Sequence, residues 1–152
     1  MSDHIVNLDK LAAEKSQEIV KEIVRRSETI ADVNKSIETL ERLVTKTLGV
    51  LQEQGVYAMM LFLYSRTSSE KKVAEKSILP VFISILRSIA VVDNAQSLPE
   101  SNSNREEVLK FYAEITSNLD ILLLIRNLYE QILIYTRYHA KARAGQDGVE
   151  SL

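Results

Sequence analysis

The sequence predicts an all-α protein, a compact helical bundle of five to seven helices. Three observations predict it. Apolar residues recur at i, i+3 and i+4 through most of the chain, the spacing that puts one apolar stripe on a helix. Four Gly and two Pro in 152 residues are too few for the turns of a β-sandwich or barrel and suit long helices with short connections. No stretch makes a defensible strand, and no internal repeat or low-complexity block is present. The length fits one domain, placed at residues 1–144, with 145–152 as a disordered tail.

The first helix spans about Leu8 to Arg26, with Leu8, Leu11, Ala12, Ile19, Val20, Ile23 and Val24 on its stripe. The pattern lapses over Ser27 to Lys35, where Asp32 and Asn34 offer start signals for the next helix. Ile37, Leu40, Val44, Leu48 and Leu51 then carry a second stripe to Gln54. Gly55 is a kink or a break. The run Val56 to Tyr64 is apolar nearly all round and is expected to form the central helix.

Arg66 to Lys72 is a polar connection whose serines can cap the next helix. Pro80 lacks an N–H and clashes with the preceding turn, which predicts two pieces at about 69–78 and 80–92. Asp93 to Ser103, with Pro99, is the longest expected loop. Asn104-Arg105-Glu106-Glu107 resembles a capping box and starts a short helix through Ile115. Asn118 opens the last and longest helix, with Leu119, Leu122, Leu123, Leu128, Ile132, Tyr135 and His139 on or near one face. Gly145-Gln146-Asp147-Gly148 is expected to end it.

Composition narrows the chemistry. The absence of Cys removes disulfides, thiolate metal sites and Cys nucleophiles, and it fits a reducing, cytoplasmic setting. No signal peptide is evident at the N-terminus. The longest apolar runs, Val56 to Tyr64 and Ile121 to Ile125, fall far short of the roughly 20 residues a membrane span needs, so no membrane partner is expected. Neither His4 nor His139 has a Glu three residues before it, as a di-metal bundle requires. Gly49 and Gly55 make no phosphate loop, and no Ser sits in a nucleophile elbow. The pairs Glu106/Glu107 and Glu28/Asp32 fit first turns and solvated faces. Met59-Met60 with Tyr57, Phe62 and Tyr64 could line a ligand groove, but a core helix explains them more simply. Neither an enzyme nor a cofactor nor a metal is expected.

What remains is local charge on a chain of net charge −2. The last helix ends Arg137-Tyr138-His139-Ala140-Lys141-Ala142-Arg143, without an acid. Its cations suit the negative end of the helix dipole, and Arg137, Lys141 and Arg143 also suit phosphate contacts. Arg25 and Arg26 close the first helix similarly. Lys71, Lys72 and Lys76 stand at spacings that could share a face. Each patch alone also reads as solvated surface, but several cationic helix ends on one small domain make convergence of some of them expected.

The order of features carries a resemblance. A charged N-terminal helix precedes a Leu-x-x-x-Gln-x-x-Gly segment (Leu48 or Leu51 through Gly55). A very apolar Met-Met-Leu-Phe-Leu helix comes next, and the chain closes with Tyr135-Thr136-Arg137-Tyr138-His139-Ala140-Lys141-Ala142. Over roughly residues 8–143 this resembles the small all-α subunit of the Cmr (type III-B) CRISPR RNA-guided effector complex. That family often has Trp near the position of Tyr135, and this chain has no Trp. The resemblance implies a non-catalytic subunit in antiviral defence that stacks along a guide RNA–target duplex and contacts phosphates without reading sequence. Its implied partners are other effector subunits, the guide and target RNA, and further copies of itself. Arg25, Arg26, Lys71, Lys72, Arg137, Lys141 and Arg143 are the candidate nucleic-acid contacts. The alternative is a helical adaptor that binds protein partners only.

Overall fold

The computed structural model describes residues 7–88, 99, 104–115 and 117–150, apart from the side chains of 88 and 145–150. Helix α1 is Leu8–Arg26, with the Asn7 side chain accepting from the Lys10 amide at 3.0 Å. Helix α2 is Ile30–Gln54, capped by the Thr29 hydroxyl accepting from the Asp32 amide at 3.1 Å. The start signals expected at Asp32 and Asn34 are therefore interior to α2. Its first turn projects Ile30, Ala31, Asp32, Asn34 and Lys35 into solvent, so the apolar stripe is silent there and only the cap marks the start.

Gly55 is a break. It ends α2 at φ 96°, ψ −175°, a region open almost only to glycine. Helix α3, Val56–Tyr64, buries Val56, Met59, Met60 and Leu63. Met59 and Met60 are core residues. The expectation of a central helix needs correcting, because Leu61 is 47 % exposed and Tyr57 also faces solvent. A nine-residue helix covers one side of the bundle, and surfaces tolerate apolar side chains.

At the next corner neither Ser68 nor Ser69 caps the helix after it. Thr67 occupies the cap position without a side-chain bond, and Ser68 takes φ 55°. Helix α4 is Ser68–Val73, a π turn spans Ala74–Ile78, and helix α5 is Leu79–Ser88. These three form one continuous rod, so Pro80 does not divide it. The Leu79 amide donates to the Ala74 carbonyl, five residues back. That wider turn accommodates a proline ring that would otherwise crowd the Lys76 carbonyl, and it asks no N–H of Pro80. Residues 89–92 and the loop expected over Asp93 to Ser103 lie outside the described residues, except for Pro99, which is buried.

Helix α6 is Arg105–Ile115, where the Asn104 side chain accepts from the Glu107 amide at 2.9 Å and donates to its carboxylate at 3.3 Å. Helix α7 is Leu119–Glu150, with the Asn118 side chain accepting from the Ile121 amide. It runs through Gly145 and Gly148, so the tail expected at 145–152 is helical as far as Glu150. Among the described glycines only Gly55 has the positive φ that a glycine stop requires, and an interior glycine weakens a helix without removing a bond.

The core lies where α7 packs against α1 and α2. Its buried stripe is Ile125, Leu128, Tyr129, Ile132, Leu133, Thr136 and Ala140. Leu119 and Leu123, expected on it, are exposed. Tyr135 donates to Asp9, while His139 and Arg143 lie against Gln17, Val20 and Lys21, so α1 and α7 run parallel. Gln52 meets Glu130 and Lys141 meets Glu41, so α2 runs antiparallel to both. Each fully buried Leu or Ile in this contact contributes roughly 1.5–3 kcal/mol.

Beside this core Tyr129 stacks on Phe82 at 4.3 Å and donates its hydroxyl proton to the Phe82 carbonyl at 2.8 Å. With that proton committed, Tyr112 must donate to the Tyr129 oxygen. Three helices (α5, α6 and α7) are thereby joined through two fully buried phenols. Among the described residues no helix is long and apolar enough to cross a membrane.

Two glycine substitutions should have opposite signs in urea unfolding. Gly55→Ala finds open space yet forces an L residue into a glycine-only conformation, and should destabilise by about 1–3 kcal/mol. Gly49→Ala, also in open space but inside α2, should stabilise by about 0.5–1 kcal/mol. Burial pushes the Tyr112 and Tyr129 phenols well above their ordinary value. The folded chain then holds protons that the unfolded chain releases near pH 10. Their stabilising contribution is complete below that pH and falls as pH rises beyond it. Tyr129→Phe, which strips the Phe82 carbonyl of its donor and the Tyr112 hydroxyl of its acceptor, should cost about 1–3 kcal/mol, more than Tyr112→Phe, which leaves Tyr129 bonded to Phe82.

Candidate functional site

Many of the cations are committed to the fold. Glu70 gathers Lys46 at 2.9 Å, Arg42 at 3.5 Å and Arg66 at 3.5 Å. Arg66 also lies over the Phe62 ring at 3.7 Å and donates to the Phe62 carbonyl. Burial pushes the Glu70 carboxyl up, but Lys46, Arg42 and Arg66 outweigh it and hold it below its ordinary value. This node fastens α2 to the α3–α4 corner. Lys141 is likewise tied to Glu41 of α2 at 3.0 Å.

A further group of cations gathers along α1. On one side, His139, Ala142 and Arg143 of α7 form a groove with Gln17, Val20 and Lys21. On the other, Lys21, Glu22, Arg25 and Arg26 face Lys76, Ser77, Pro80, Val81 and Ser84. Around the α1–α2 junction, a cleft of about 320 Å³ is lined by Arg26, Ser27, Glu28, Asp32, Lys35, Ser36, Lys72, Lys76 and Ser77, over Ile23 and Val73. Lys21 belongs to the first two clefts, and Arg26, Lys76 and Ser77 to the last two. The three are thus one band crossing α1. Seven cations (Lys21, Arg25, Arg26, Lys35, Lys72, Lys76 and Arg143) face four acids (Glu18, Glu22, Glu28 and Asp32). On a chain of net charge −2, this is a local excess of positive potential.

Of the seven residues singled out in the sequence, Arg25, Arg26, Lys72 and Arg143 meet on this band. Lys71 does not. One residue from Lys72 and so about 100° around the helix, it lies with Tyr64, Arg66, Glu75, Asn104, Arg105 and Glu106. Arg137 and Lys141 also turn away from Arg143: offsets of six and two residues place Arg143 on another side of α7 from either. Arg137 is half-buried, and its Nε, like that of Arg143, is enclosed and unpartnered among the described residues. Lys21 and Lys35 were missed. Lys21, one turn before Arg25 on α1, was legible as a same-face cation; Lys35 enters only through the fold of the α1–α2 connection.

Glu22 tempers the band. Its carboxylate accepts from Arg26 Nε at 2.7 Å and from Arg25 Nε at 3.1 Å. Hydrogen bonding to Arg25, against a smaller burial penalty and with Arg26 in support, holds it below its ordinary value. Lys35, Lys72 and Lys76 form no ion pair among the described residues. The face can therefore attract a polyanion through several solvated ammonium groups and two oriented guanidiniums. Among the described residues, no three His, Asp or Glu side chains gather as a metal-holding group; His4 lies outside them.

Glu22→Gln should free both guanidiniums and strengthen binding of a generic polyanion such as heparin or poly(U) about two- to fivefold at low salt, the gain shrinking as salt is added. Fluorescence anisotropy at two ionic strengths checks this; unchanged affinity at low salt contradicts it. Compared with protein-family models, curated proteins and solved structures, the chain matches none.

Proposed function

We propose that the chain is a non-catalytic small subunit of a cytoplasmic RNA-guided ribonucleoprotein effector, of the Cmr kind it resembles. In this reading it lies along a guide RNA–target duplex beside other subunits and touches phosphates without reading bases. The observation that carries it is the continuous cationic band across α1. A helical bundle with flexible lysines and no constellation of base-reading side chains among the described residues suits backbone contact, where pairing between the strands supplies the sequence information.

The test is the salt dependence of RNA binding, alone and within a reconstituted guide complex. Wild-type protein should bind RNA weakly, with little sequence preference and a steep loss of affinity with salt. Reversing Lys21, Lys72 and Arg143 to Glu should lower affinity tenfold or more and flatten the salt slope by about one unit per reversed cation. It should also weaken incorporation into the complex. Reversing Lys71, on the other side of α4, should do much less. Equal affinity and slope in wild type and triple variant would overturn the reading, as would tight complex assembly through proteins alone with RNA binding abolished.

A further inference from the structure

The π turn sits where the two clefts along α5 and α2 meet, and it contributes Lys76 and Ser77 to both. The buried hydroxyls of Ser16, Thr39 and Thr47 each donate to a carbonyl three or four residues back on their own helix. Ser77 is 2 % exposed and lines both clefts, yet its hydroxyl has no hydrogen bond among the described residues. Unlike the Thr136 hydroxyl, which is enclosed without a partner among the described residues, the Ser77 oxygen is not shut off from solvent, so the cleft can supply its hydrogen-bond partner. Around it stand Arg26 and Lys76, shared by both clefts, with Lys72 and Lys35 on one side and Lys21 and Arg25 on the other.

The turn also sets the alignment. The wall facing α1 is built of residues repeating every four positions, Lys72, Lys76, Pro80 and Ser84, with Val73, Ser77 and Val81 beside them. A regular helix would carry such a stripe around by about 40° per repeat. The wider π turn, accommodated to Pro80, removes part of that drift and keeps the stripe on one wall.

We propose that the π turn is a seat for a single phosphate-class oxyanion, held by the Ser77 hydroxyl and charged by Arg26, Lys72 and Lys76. Glu28 and Asp32 line the same cleft and temper the attraction of its cations. Its natural ligand rests on the nucleic-acid reading above; its geometry does not. The phosphate is either a backbone phosphodiester or a terminal phosphomonoester.

Amide NMR of the full chain, titrated with inorganic phosphate and then with short RNA bearing or lacking a 5′-phosphate, tests the seat. Phosphate should shift the amides of Lys76 and Ser77, and Ser77→Ala should weaken that binding about three- to tenfold with the urea midpoint little changed. Lys76→Gln, at an exposed position, should weaken it similarly and guards against a packing effect at Ser77. Tighter binding of the 5′-phosphorylated RNA at these amides assigns the seat to a terminal phosphate; equal shifts assign it to the backbone. Unmoved amides over 74–78, or wild-type affinity in both variants, overturn the seat. RNA binding retained in that case leaves the band's function standing, whereas phosphate seated at Ser77 with no RNA bound anywhere removes that function and keeps the seat.

Discussion

The buried stripe of α7 is what the rest of the molecule depends on. Ile125, Leu128, Tyr129, Ile132, Leu133 and Ala140 fill the trough between α1 and α2, and no other element of the described structure is long enough to do so. The α4–α5 rod packs against α1 and α2 and reaches α7 through Phe82, while α3 contacts α2, α6 and α7. Tyr129 belongs both to the stripe and to the bond with Phe82, so the register of α7 also sets where α5 sits. A one-turn slip of α7 would misplace Lys141 from Glu41 and Arg143 from Lys21.

Electrostatics divides the cations into two populations. Arg42, Lys46 and Arg66 are engaged by Glu70, where several charges share one half-buried carboxylate and hold a corner. The cations along α1 are under-neutralised, with only Glu22 among the acids of the band making close pairs to them. Solvated pairs stabilise little, so the fold loses little by leaving Lys35, Lys72 and Lys76 unpaired. Charge can accumulate on this face because packing elsewhere supplies the stability.

The bundle was legible because periodicity and caps are local. Asn104 and Asn118 mark starts from the residues alone, and the α1 stripe needs only counting. The errors arise where tertiary context decides. The run Val56 to Tyr64 announces apolarity but not which side is enclosed. Pro80 announces a conflict with a regular helix, while its resolution by a π turn depends on packing against α1. The same holds for the site. Arg25 and Arg26 could be read from one helix, but their union with Lys72 requires two elements nearly fifty residues apart, and Ser77 gave no signal because an unpartnered hydroxyl is visible only once its surroundings are known.

The parallel pairing of α1 with α7 bears on how the chain is made. The α1–α2 hairpin leaves the ribosome before α7, with Ile19, Leu40, Leu43 and Leu51, all buried in the finished fold, not yet enclosed by it. In the folded chain α7 makes the largest contacts with both helices, and these join segments far apart in sequence. Such long-range closure slows folding and prolongs the interval in which the apolar trough can engage another chain. Any contact that covers the trough before α7 arrives would shorten the life of that open intermediate.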